Sequence, residues 1–139
     1  MQAFKEIEGK LTRAQGPGEG LAAAWEVFQF IVMAADYYCG HTSAWFAKWM
    51  SVIPPACEGR DYIAMAPSLR REPAASVEIP DLKPVSEHDA AAGLGNIAGA
   101  LQQRLEEMRA GVQGSADARA CAKAAGAAAE ICGLLPVDV

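Results

Sequence analysis

From Pro17 to Cys39 the chain places apolar side chains around most of the circumference of a helix. Leu21, Trp25, Phe28, Phe30, Ile31, Val32, Met33, Ala35 and Tyr37 spread over it, and the polar positions Glu26, Gln29 and Asp36 fall on one narrow line. A helix at the surface of a globular protein shows one apolar stripe, so a helix apolar nearly all round has to be covered on most sides. Lipid is not the cover. The longest apolar run, Val27 to Ala35, is nine residues and includes Gln29, whereas a membrane-spanning helix takes about 20. The segment is therefore the central helix of a bundle or an oligomer seam.

The rest of the 139-residue chain supplies the covering elements within a single domain. Phe4, Ile7, Leu11 and Ala14 recur at helical spacing and predict a short first helix, stopped by Gly16-Pro17-Gly18. Pro17 then suits the first turn of the central helix and Gly40 its end. A third helix is expected from Ala44, loaded with Trp45, Phe46, Trp49, Met50, Val52 and Ile53, and kinked or broken at Pro54-Pro55. Four prolines between Pro67 and Val85 make that stretch a linker or a draped strap.

Ser86-Glu87-His88-Asp89 fits a helix-capping pattern, followed by Leu94, Ile97, Leu101, Leu105, Met108 and Val112 at steps of three and four. After Gly111 and Gly114 a last helix carries a stripe of small residues, Ala118, Cys121, Ala122, Ala125, Ala129 and Cys132. The expected architecture is an all-α bundle of five to six helices: an aromatic-rich half at residues 1–66, a Pro-rich crossover at 67–85 and an αα-hairpin at 86–135.

Charge narrows the function. The net charge is −5, and no segment holds an excess of Lys and Arg for neutralising phosphates, so direct nucleic-acid binding is not expected. The amino-terminal residues mix acids and bases without an apolar leader core, which points to a cytoplasmic protein. The four cysteines, Cys39, Cys57, Cys121 and Cys132, form no CxxC and are expected as free thiols.

Several residue groups invite a chemical reading. Gly93-Leu94-Gly95-Asn96-Ile97-Ala98-Gly99 is not a phosphate loop, because it lies within a helical repeat and lacks the Lys and hydroxyl pair. Gly95 and Gly99 instead suit close helix packing, with Ala118, Ala122 and Gly126 as the matching small face. Cys39 and His41, with Cys57, Glu58 or His88, lack the local ligand pairs of a structural zinc site. Asp36, Tyr37, Tyr38, His41 and Ser43 are catalytic residue types, but they crowd one helix end where they cannot converge. No cofactor motif and no metal site are assigned.

Arg60 follows the stripe Phe46, Met50, Ile53, Cys57, which is expected to turn it inward toward Asp36 or Asp61. A ligand pocket, if present, is then expected among Trp45, Trp49 and Arg60, near His41 and Asp36. All ten aromatic residues precede residue 63, which fits a heavy core or interface in the first half. The leading expectation is a non-enzymatic protein-protein interaction module, a homodimer or an accessory subunit, associating through Phe30, Met33 and Tyr37 of the central helix. The alternatives are a small-ligand-binding or enzymatic domain around Arg60 and His41, and an acidic accessory or inhibitor of a nucleic-acid-handling complex.

Overall fold

The computed structural model describes residues 2–41, 44–69, 77–111 and 114–135. Among the described residues five helices make up the fold: α1 Gln2–Arg13, α2 Gly16–Cys39, α3 Phe46–Ala64, α4 Glu87–Gly111 and α5 Ser115–Leu134. No strand occurs among the described residues, so Val77-Glu78-Ile79 forms no sheet pairing. None of the helices is long and apolar enough to cross a membrane.

The helices α2, α3, α5 and α4 form a closed ring in that order, each packed on its two neighbours. Side-chain pairings set the directions. Phe28 meets Gly59 and Tyr38 stacks on Trp49, so α2 and α3 run antiparallel. Lys123 reaches Tyr62 while Asp117 bonds Ser68, so α3 and α5 do too. Gly95 faces Leu135 and Gly99 faces Cys132, which makes α4 antiparallel to α5.

Helix α1 lies over the seam between α2 and α4. Its Phe4 ring packs edge-on against Phe30, with centroids 5.6 Å apart at 85°, and also against Gly93, where an added Cβ would come within 2.2 Å of the ring. Ile7 and Leu11 complete the buried stripe of α1, while Arg104 of α4 donates to the Ala14 carbonyl at its far end.

This arrangement corrects the expectation that Phe30, Met33 and Tyr37 form an exposed patch. Phe30 is fully buried under Phe4, and Met33 and Tyr37 are half-buried against the core. A short helix covers a large area when its apolar stripe straddles a seam instead of lying on one neighbour. Helix α2 is indeed central: Leu21, Ala24, Val27, Phe28, Ile31, Ala34 and Ala35 are all at 0% exposure.

Helix α3 differs from expectation in two ways. It begins at Phe46 rather than Ala44, and of the kink or break expected at Pro54 and Pro55 the break does not occur, the helix continuing through both. Two prolines remove two amide donors and leave the carbonyls of Met50 and Ser51 without helical partners. Met50 and Ser51 are both exposed, so water can satisfy those carbonyls and the helix persists.

The small residues of α5 let two helices approach it at once, with Ala120, Cys121, Ala124, Ala125, Ala127, Ala128 and Ile131 buried. Gly95 and Gly99 face α5, but the expected match to Ala118, Ala122 and Gly126 is not what they meet, and a Cβ at either position would find only ordinary contact. Gly126 is exposed with open space beside it, and a Cβ added at Gly95 or Gly99 would stand 3.7 Å from Leu135 or 3.6 Å from Cys132. The Cys132 thiol also donates to the Gly95 carbonyl at 3.5 Å. The four cysteines are free.

Because α3 ends at the Gly18 end of the bundle and α4 begins at the Tyr38 end, the connection between them climbs the height of the molecule. Its described part, residues 77–85, is a packed strap, with Val77 and Leu82 buried in the core. Residues 70–76, including Arg70 and Arg71, lie outside the described residues.

Candidate functional site

The outward face of α3 is built by residues that the sequence reading placed inside. Trp49, Val52, Ala56 and Ile63 are the fully buried positions of α3. Phe46 and Met50 lie on the opposite side at 53% and 47% exposure, with Ile53 and Cys57 half-buried one and two turns further on. Both faces of this helix are apolar, and packing selects the one that admits Phe28. Gly59 is on the chosen face, where an added Cβ would stand 2.2 Å from the Phe28 ring.

An outward strip, Phe46, Met50, Ile53, Pro54 and Cys57, results. No charged residue occurs between Lys48 and Glu58, over about two and a half turns of a surface helix where charge is the rule.

Arg60 is not turned inward by this stripe. Its Nη1 donates to Gln29 Oε1 at 2.8 Å and its Nε stands 3.5 Å from Asp61 Oδ1. The partner carboxylate is thus Asp61, and Asp36 is exposed at the end of α2. Gln29, on the polar line of α2, supplies the contact that the sequence reading missed.

The suggested pocket of Trp45, Trp49 and Arg60 does not form. Trp49 is fully buried, and Arg60 is eleven residues along the same helix, about 16 Å away. Trp49 instead belongs to a polar knot at the Tyr38 end. Its Nε1 donates to Glu87 Oε2 at 3.2 Å, and its ring stacks on Tyr38 at 4.9 Å. The Tyr38 hydroxyl donates to the Val85 carbonyl at 2.8 Å. Burial, aided by the nearby phenol of Tyr37 and the carboxylates of Glu87 and Asp89, pushes the Tyr38 hydroxyl up to about 12. The group stays neutral and ties α2 to the strap, while Trp49 ties α3 to the start of α4.

His41 stacks on Tyr37 with rings 4.1 Å apart and its Nδ1 donates to the Tyr37 carbonyl at 2.7 Å. Trp45 lies beside His88, with Lys48 over its ring at 5.2 Å. These groups lie at helix ends, His41 on a terminal carbonyl of α2 and Trp45 at the start of α3, as two separate pairs of rings. Thr42 and Ser43 lie outside the described residues.

Among the described residues, no three of His, Cys, Asp and Glu gather as a metal site. Burial, and to a lesser degree Asp36, raises the Cys39 thiol, and burial with Asp117 raises Cys121. Both are shifted away from the thiolate that nucleophilic chemistry needs.

A groove of about 610 Å³ runs between α1, the strap and α4, where Lys5, Glu8, Asp89 and Asn96 rim the floor of Phe4 and Gly93. Its charges are mixed and its polar groups point to no single ligand chemistry. Comparison with protein-family models, with curated proteins and with solved structures finds no match to the chain.

Proposed function

We propose that the protein is a non-enzymatic helical interaction module that self-associates through the outer face of α3. The observation that carries this reading is the uncharged strip with Phe46 and Met50 about half exposed. Contiguous apolar surface of this kind on a helix is the ordinary mark of a contact surface. The expected surface on α2 gives way to one on α3, while the class of function stays as the composition suggests.

A second copy of the chain is the partner that the strip fits. Two α3 helices packed antiparallel about a two-fold axis at Ile53 bury Phe46, Met50, Pro54 and Cys57 of both copies. Lys48 lies on the side of α3 away from the strip and Glu58 at its margin, so the strip itself brings no charged side chain into the seam. No like charges face each other along the seam.

Sedimentation equilibrium at micromolar concentration tests this. The wild-type chain, 14.6 kDa as a monomer, is expected to sediment as a dimer, and Met50→Glu as a monomer of unchanged helicity. A wild-type monomer throughout the range overturns the reading.

A further inference from the structure

We propose that the cleft between the end of α3 and the first turns of α5 binds an acidic protein segment, taking one carboxylate together with a neighbouring large apolar side chain. The proposal is independent of the outer face of α3, since it rests on different residues. The cleft measures about 210 Å³ and is lined by Tyr62, Met65, Ala116, Arg119, Ala120 and Lys123.

Its two halves have different chemistry. Met65 is 76% exposed, above both Phe46 and Met50, and with Tyr62, Ala116 and Ala120 it forms an apolar wall. A thioether side chain adapts readily to the shape of an incoming apolar group.

The other half is cationic. Arg119 and Lys123 are both exposed, one turn apart on α5, a spacing at which like charges repel. Among the described residues, neither has a carboxylate within 4.0 Å; Lys123 lies over the Tyr62 ring at 5.6 Å.

The nearby acids are otherwise engaged or out of reach. Asp117 is 6% exposed, and its carboxylate accepts from the Ser68 amide at 3.0 Å and from the Ser68 hydroxyl. Asp61 pairs with Arg60, and Glu58, one turn before Tyr62, makes no ion pair with Lys123. Asp117 stands in the first turn of α5 and offsets the charge of that helix end, so the cationic half of the cleft is Arg119 and Lys123 themselves.

An arriving carboxylate can take the two-pronged guanidinium of Arg119 and relieve its repulsion with Lys123, while the adjacent apolar side chain packs on Met65 and Tyr62. Charge complementarity selects the partner. Two cations in a chain of net charge −5 suit one or two carboxylates; a phosphate polymer would meet repulsion from the remaining surface.

The test is a titration of the isotope-labelled protein, followed by amide NMR, with an eight-residue Gly-Ser peptide carrying one central Glu-Leu pair and with its Gln-Leu counterpart. Saturable shifts confined to residues 62–65 and 116–123 are expected, at least tenfold weaker for the Gln-Leu peptide. The double variant Arg119→Gln, Lys123→Gln changes exposed side chains only. It is expected to keep its circular dichroism and lose at least tenfold in affinity, and Met65→Ser is expected to lose several-fold. Absence of binding at millimolar peptide, equal binding of the Gln-Leu peptide, unchanged affinity in the double variant, or tighter binding of a single-stranded oligonucleotide at this cleft would each overturn the proposal.

Discussion

At Gly59 a single methyl group decides between two opposed effects. Alanine is the better helix former by about 1 kcal/mol, but the added carbon would stand 2.2 Å from Cε1 of Phe28, and the Phe28 ring is fully buried with nowhere to retreat. Overpacking wins, so Gly59→Ala is expected to destabilise the fold by about 1 to 3 kcal/mol in urea denaturation. Gly126→Ala is the control. It meets open space on the exposed side of α5, and only the helix-propensity gain remains, so stability should rise by about 0.5 to 1 kcal/mol. The Tyr38 hydroxyl gives a prediction in pH. Its folded value, about 12, lies above its ordinary 10. The unfolded chain therefore releases this proton first, and stability from this group is whole below pH 10 and falls between pH 10 and 12. Thermal melts across that window should show the loss in the wild-type protein and a shallower one in Tyr38→Phe.

Among the elements, α4 was the most legible in the sequence and α3 the least. The repeat Leu94, Ile97, Leu101, Leu105, Met108 marks one face of α4, and all five side chains are buried. Leu101→Ala is expected to cost about 2 to 5 kcal/mol, measured by chemical denaturation. In α3, Trp49, Val52, Ala56 and Ile63 compete with Phe46, Met50, Ile53 and Cys57, and both sets follow the helical period. Periodicity cannot choose between two apolar faces; that choice belongs to the neighbour, here the Phe28 ring seated on Gly59. The same limit applies to Arg60, which was read from a stripe on its own helix although Gln29 across the interface holds it. The burial of Phe30 is illegible for a related reason: the stripe of α1 marks a helix that needs a dock, but not one that straddles two helices and brings Phe4 over the gap.

For the whole molecule, the order α2, α3, α5, α4 around the ring joins the two halves of the chain through three helix interfaces, α3 with α5, α2 with α4 and α1 with α4. Polar ties reinforce them at both ends, Trp49 to Glu87 at one and Ser68 to Asp117 at the other. Trypsin cleavage at Arg70 or Arg71 should therefore leave a particle that elutes intact from gel filtration and gives two bands only after denaturation. Separation of the fragments under native conditions would show that the halves depend on their covalent link.

The climbing strap also sets a folding order. Six residues, 40–45, connect α2 to α3, and three, 112–114, connect α4 to α5, so each pair closes over a short loop and forms early. The interface between α3 and α5 must wait for the chain to travel from one end of the bundle to the other. Refolding is therefore expected to be paced by the docking of the two hairpins, and lengthening the chain between Arg71 and Val77 with glycines should slow it while leaving the rate of unfolding unchanged.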